Sequence, residues 1–197
     1  AIVAVPAAIY GIGYSAHGPS SRTVQIAGPL LVWSVMMVPA AGSVTGLIAF
    51  WELMALSSLV LVLAEHHHNV EARSAAQWYA AMTHLSLLAI VLALVVLAHQ
   101  AGGDSFTAVR AGAGDLSPAT ASVVFLLSLV GFGAKAGVVP LHVWLPRAHP
   151  EAPSHVSAMM SGAMVALGVY GLVRVGWDLL GGGPTWWGGV VLGVGAV

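Results

Sequence analysis

The residues able to do chemistry in this chain are few, and each sits inside an apolar run. Glu52 lies in Phe50-Trp51-Glu52-Leu53-Met54, within a run that opens at Val44. Lys135, the single lysine, lies in Gly131-Phe-Gly-Ala-Lys-Ala-Gly-Val-Val-Pro140. His84, between Thr83 and Leu85-Ser86, interrupts a third run. A carboxyl, an amine and an imidazole are all proton donors and acceptors, and burial disfavours their charged forms. Such groups exchange protons rather than hold a fixed charge. A charge at mid-membrane costs roughly 2.5–3.5 kcal/mol on insertion scales, and residues of this kind mark ion or proton paths by default. Glu52 stands about 12 Å along a helix counted from Val44, near the middle of a bilayer. An ion pair between Glu52 and Lys135 would form and break as either partner gained or lost a proton. A structural alternative exists for each: an interhelical hydrogen bond for Glu52, a packing kink with a fixed ion pair for Lys135.

What must hold these residues is a membrane. The 197 residues are 58% apolar and 7% charged, against about 25% charged in a typical soluble domain. The apolar runs are continuous rather than alternating, which favours helices over a β-barrel. The reading is an all-α, polytopic membrane helix bundle. A net charge of −1 gives no electrostatic case for nucleic acid, and zero cysteines exclude disulfides and thiolate metal sites. The spans fall at 24–41, 44–65, 74–98, 118–145 and 154–175, with partial spans at 1–13 and 185–197. Residues 14–23, 66–73, 99–116 and 146–153 read as loops. The chain opens and closes inside apolar runs, so a fragment of one longer transmembrane domain is expected. Alternating loops put Arg22, Arg73 and Arg147 on one side and Arg110 and Arg174 on the other, a weak bias toward a cytoplasmic first side.

The surroundings of Lys135 carry a second signal. Gly133, Gly137 and Pro140 bracket it, and proline removes a helical hydrogen bond and clashes with the carbonyl four residues back. The helix is expected to break near Pro140. Irregular backbone at that depth is tolerated only inside protein or beside a wet cavity. His84 suits a relay, or is merely hydrogen-bonded, with Thr83 and Ser86 placed to hold water. His142, His149 and His155 are spaced by seven and six residues, which fits no compact zinc pattern; a proton-path or interfacial role suits them better. His66, His67 and His68 read as a solvated loop. The small-residue face of Ser161-Gly162-Ala163 and Gly168 suits close helix packing. The expected proton path is therefore Glu52, Lys135, His84, His142 and His155, with no metal and no cofactor.

The stretch from Gly131 through Leu141-His-Val-Trp-Leu-Pro-Arg-Ala-His-Pro-Glu-Ala-Pro-Ser-His-Val-Ser157 resembles the core of the antiporter-like membrane subunits of respiratory complex I and of Mrp-type cation/proton antiporters. The His149-Pro-Glu-Ala-Pro-Ser-His155 turn is most similar to the hydrogenase-4 component B and formate hydrogenlyase branch. Phe50-Trp51-Glu52-Leu-Met-Ala-Leu-Ser-Ser58 and Ala1 to Tyr14 extend the likeness over most of the chain. The resemblance implies a bundle of inverted repeats with broken helices, of which this chain is the first repeat and the start of the next. It implies that Glu52 and Lys135 form a charge pair, and that Lys135 relays protons along a buried polar axis. It implies a subunit without a redox cofactor of its own, partnered by other membrane subunits and a peripheral redox arm in a bacterial cytoplasmic membrane. The transported ion would be the proton, with sodium as the alternative. An Mrp-type sodium/proton antiporter subunit and a non-conducting membrane anchor are the competing functions. One departure stands out: many relatives carry a second buried lysine where this chain has Ala166.

Overall fold

A computed structural model of the chain describes residues 3–17, 22–64 and 70–196. The described part is built of helices: α1 (Ala4–His17), α2 (Arg22–Ala40), α3 (Val44–Ala64), α4 (Val70–Gln100), α5 (Phe106–Gly112), α6 (Pro118–Ala136) and α7 (Leu145–Glu151). Next, α8 (Ser154–Met159) runs through a π turn into α9 (Val165–Val173) and a second π turn, Arg174–Leu179. After the glycine turn comes α10 (Thr185–Gly195). Among the described residues, five segments are long and apolar enough to cross a membrane: Arg22–Ala40, Val44–Leu63, Arg73–Gln100, Pro118–Glu151 and Ser154–Leu179. Apolar segments of this length become helices in lipid because only a helix satisfies its own backbone there. The chain is an integral membrane protein.

Local signals set several boundaries. Ser117 accepts from Thr120 N at 3.1 Å and Pro118 opens α6, a side-chain cap followed by the residue whose missing N–H costs nothing there. Ser105 caps α5 in the same way, accepting from Ala108 N at 3.2 Å, so the polar stretch 99–116 holds a short helix. The proline-rich stretch 146–153 is not a plain turn either. Pro146 sits in the first turn of α7, where no N–H is required.

The helices pack in sequence, α2 on α3, α3 on α4 and α4 on α6; α6 lies on α9, and α1 lies against α8. The buried side of α4 repeats at three- and four-residue intervals through Ala76, Tyr79, Thr83, Ser86, Ile90, Ala93 and Leu97, one face of a helix. On α3 the same spacing buries Trp51, Met54, Ser58, Leu61 and Val62. Where α6 and α9 touch, a Cβ at Gly168 would stand 2.5 Å from Ala136 N and 2.7 Å from Phe132 O. Backbone meets backbone there, as small residues allow between membrane helices.

The two ends of the bundle are held differently. At one, Val44 N donates to Asp104 O at 2.9 Å and Phe106 N to Gly42 O at 3.0 Å, tying the α2–α3 link to the segment before α5. Arg110 donates twice to Asp178, at 2.9 and 2.8 Å, and Arg174 Nη1 donates to Asp178 at 2.9 Å. The hydrogen bond with Asp178 raises the Arg110 guanidinium above its ordinary value. At the other end Arg147 lies over the Trp78 ring, 4.3 Å from its centroid. Arg110 and Arg174 thus share one end, and Arg147 joins the starting end of α4, where Arg73 stands.

Candidate functional site

Lys135 occupies the last turn of α6 and is 1% exposed. The helix stops just after it. Gly137 adopts φ +85° and its N–H bonds back to Gly133 O, as does Val138 N at 3.0 Å. This is the left-handed glycine stop of helix C-termini. The break therefore begins at Gly137, ahead of Pro140, whose preceding peptide is cis. Gly133 lies inside α6 and supplies the carbonyl that closes it, so it is not itself a point of rupture. The next orphan carbonyl, Ala134 O, accepts from Trp144 Nε1 at 2.7 Å. Trp144 stands in the short 3-10 segment Leu141–Trp144, which folds back under α6. The C-terminal end of a helix carries partial negative charge, and an ammonium there complements it.

The partner of Lys135 is a hydroxyl. Its Nζ donates to Tyr79 Oη at 2.8 Å. The same Nζ lies 4.8 Å from the Tyr79 ring centroid and 5.2 Å from that of Trp144, within cation–π range. Tyr79 and Trp144 themselves pack at 5.2 Å. Tyr79 Oη stands 2.6 Å from Ser58 Oγ on α3, and Ser58 Oγ donates to Met54 O at 2.8 Å and Ala55 O at 2.9 Å. Tyr79 and Ser58 are both fully buried. No carboxylate comes within 4.0 Å of Nζ among the described residues.

Glu52 is joined to His84 instead. Oε1 lies 3.5 Å from His84 Nε2, with the Glu52 side chain 26% and the His84 side chain 50% exposed. The contact is on the outer surface of the α3–α4 pair rather than in the core. His84 Nδ1 stands 2.8 Å from Ala80 O. A carbonyl only accepts, so Nδ1 carries a hydrogen. Nε2 is then the ring nitrogen that faces Oε1. Glu52 Oε2 is buried with no hydrogen-bond partner among the described residues. The expected direct Glu52–Lys135 pair is not what this geometry shows. Each has its own partner on α4, Tyr79 for Lys135 and His84 for Glu52.

The remaining histidines take separate places. His142 lies in the 3-10 segment, its Nδ1 buried without a hydrogen-bond partner among the described residues. His155, on α8, packs against Gly11 of α1. His149 Nδ1 lies 3.2 Å from both Ser157 Oγ and Ser161 Oγ, joining α7 to the π turn before α9. Ser86 Oγ donates to Gly131 O at 2.6 Å, across α4 and α6. Ala166 is exposed on the outside of α9. Glu65, His66, His67 and His68 lie outside the described residues. Among those described, no three His, Asp or Glu side chains converge as a metal site would require. The residues missed from the sequence are Tyr79, Ser58 and Trp144. The signal for the first was the spacing of Tyr79, Thr83 and Ser86 at i, i+4 and i+7, a polar stripe on one helical face.

Comparisons with known proteins agree with this architecture. Residues 41–196 match the family described as NADH:quinone oxidoreductase/Mrp antiporter, TM. An uncharacterized protein of Mycobacterium tuberculosis H37Rv is 54% identical over 98% of this chain and 29% of its own length. Hydrogenase-4 component B of Escherichia coli K12 is 45% identical over 76% of this chain and 23% of its own length. The chain thus spans less than a third of either relative. Among solved structures, the Mrp complex from Dietzia sp. DQ12-45-1b superposes with a TM-score of 0.80 at 23% identity, over 90% of this chain and 19% of that one, a likeness of fold. The chain belongs to the antiporter-like transmembrane family of NADH:quinone oxidoreductases and Mrp antiporters.

Proposed function

We propose that the chain is part of a proton-translocating membrane subunit of a complex I-like or hydrogenase-type complex, and that Lys135 carries the proton. The observation behind this reading is a fully buried lysine at the broken end of a membrane helix, with no carboxylate in ion-pair range among the described residues. A lysine fixed by structure alone would gain from a counter-ion, because burying a lone charge is costly. An amine that alternates between charged and neutral needs neighbours that tolerate both, and a hydroxyl and two ring faces do. Glu52 and His84 form a second protonation site at the surface, and His142 and His155 stand as further members of the path. The protein's redox chemistry lies elsewhere, in a peripheral arm that this chain does not contain; other membrane subunits are its lateral partners, in a bacterial cytoplasmic membrane. The identity to hydrogenase-4 component B favours the hydrogenase branch. The fold shared with the Mrp complex keeps a cation/proton antiporter as the second reading, in which transport responds to a sodium gradient.

The test uses the full-length parent in its native complex, reconstituted in vesicles, with redox-driven proton uptake followed by a pH-sensitive dye. Lys135→Ala is expected to abolish uptake and Glu52→Gln to reduce it roughly tenfold or more, with assembly and peripheral-arm redox activity retained. Uptake that survives both changes makes the chain a non-conducting anchor. Sodium-dependent uptake without redox turnover moves it to the antiporter reading.

A further inference from the structure

We infer that Tyr79 is the positioning residue of Lys135, a hydroxyl that accepts from the ammonium and donates to the amine, with Ser58 holding its hydrogen in the meantime. The inference rests on Lys135 carrying the proton. The geometry assigns each role. With Nζ charged, an N–H of Lys135 donates to Tyr79 Oη at 2.8 Å, Tyr79 O–H donates to Ser58 Oγ at 2.6 Å, and Ser58 O–H donates to Met54 O at 2.8 Å or Ala55 O at 2.9 Å. Both hydroxyls of this line donate to an acceptor, and one of the three N–H groups of Nζ is taken up by Tyr79. When Nζ gives one proton to the transport path it is left with a lone pair. Tyr79 O–H then turns from Ser58 Oγ to Nζ while Ser58 keeps its bond to α3. No covalent bond of Tyr79 or Ser58 changes, and the proton that leaves is the one lost by Nζ.

The far end of this chain is decisive. Met54 O and Ala55 O are backbone carbonyls, which accept but hold no proton to pass on. The Lys135–Tyr79–Ser58 line therefore ends blindly and does not conduct. It holds Nζ in place through both protonation states, and the proton enters and leaves Nζ by its other hydrogens. Among the described residues, no other side chain hydrogen-bonds Nζ. Besides Tyr79, α3 carries Glu52 as a titratable group, α4 carries Glu71, Arg73, His84 and His99, the 3-10 segment His142, and α7 Arg147, His149 and Glu151. Glu52 and His84 contact each other, and His149 engages Ser157 and Ser161. Among the described residues, the hydrogen bond of Nζ goes to Tyr79.

The experiment measures redox-driven proton uptake against pH in vesicles holding the full-length parent complex, for wild type, Lys135→Ala, Tyr79→Phe and Ser58→Ala. Tyr79→Phe keeps the ring over Nζ and removes the hydroxyl that the ammonium bonds. A hydrogen bond to a charged group is worth a tenfold or larger factor, so the pH of half-maximal uptake should fall by about one unit or more. Uptake at the wild-type optimum should fall roughly tenfold, with redox activity unchanged. Ser58→Ala leaves the Tyr79 hydroxyl only Nζ to bond, favouring the amine, and should shift the profile the same way by less. It carries the test alone if Tyr79→Phe fails to assemble. If Lys135→Ala abolishes uptake while both hydroxyl variants keep the wild-type profile, the positioning role is overturned and the proton-carrying role of Lys135 stands. If Lys135→Ala keeps wild-type uptake, both fall.

Discussion

Glu52 and His84 face each other in an orientation that a carbonyl on neither of them helps to set. Ala80 O fixes the hydrogen on Nδ1, and that choice leaves Nε2 facing Oε1. Two groups in direct contact do not act independently. Glu52→Gln and His84→Gln are each expected to slow vesicle proton uptake, and the double variant should be no slower than the worse single one, the non-additivity that marks a coupled pair. Effects that multiply would show two independent groups. From sequence, both residues stood out as polar side chains at mid-span. Their pairing did not, because it depends on how α3 and α4 are turned against each other, which neither run of residues records. The same holds for Lys135, whose burial was legible from its glycine- and proline-rich setting, whereas its hydroxyl partner arrives from a helix more than fifty residues earlier.

At the scale of the element, the break of α6 is a matter of one glycine. A residue with a Cβ at φ +85° is strained, and a Cβ on Gly137 would stand 2.5 Å from Leu145 Cδ1. Gly137→Ala should cost about 1–2 kcal/mol and lower the melting temperature of the purified parent. Gly102→Ala, at φ +63° with nothing within 4 Å of the added carbon, should cost less and serves as the control. The sequence pointed to Pro140 because proline is the loudest helix breaker. The chain reverses earlier because a left-handed glycine, closed by Gly133 O and seconded by the Trp144 indole, satisfies the helix end that a proline alone would leave open. Helices α5 and α7 were hidden for related reasons. Ser105 is one polar residue among many in its stretch, and three prolines over 146–153 read as a turn until Pro146 is seen to occupy the one helical position that suits it.

For the whole molecule, the arginines divide as the alternation of loops requires, and Asp178 gathers two of them at one end. Asp178→Asn should loosen α5 from the end of α9. Limited proteolysis across 101–117 should quicken, more so at low salt, where the exposed pair counts most, while proton uptake stays at the wild-type rate. A matching loss of uptake would place this end on the proton path. The five-span arrangement was legible because hydropathy is a property of segments. The site was only half legible because it is a property of neighbours. Tyr79 and His84 make this concrete, since both belong to α4 and both reach α3. Five residues separate them, about 140° around the helix, so one bridge lies inside the bundle and the other outside. Any twist of α4 about its axis sweeps these two side chains in different directions against the same fixed neighbour. Were α4 to turn as a rigid rod, the outer carboxyl–imidazole contact and the inner hydroxyl would be displaced together.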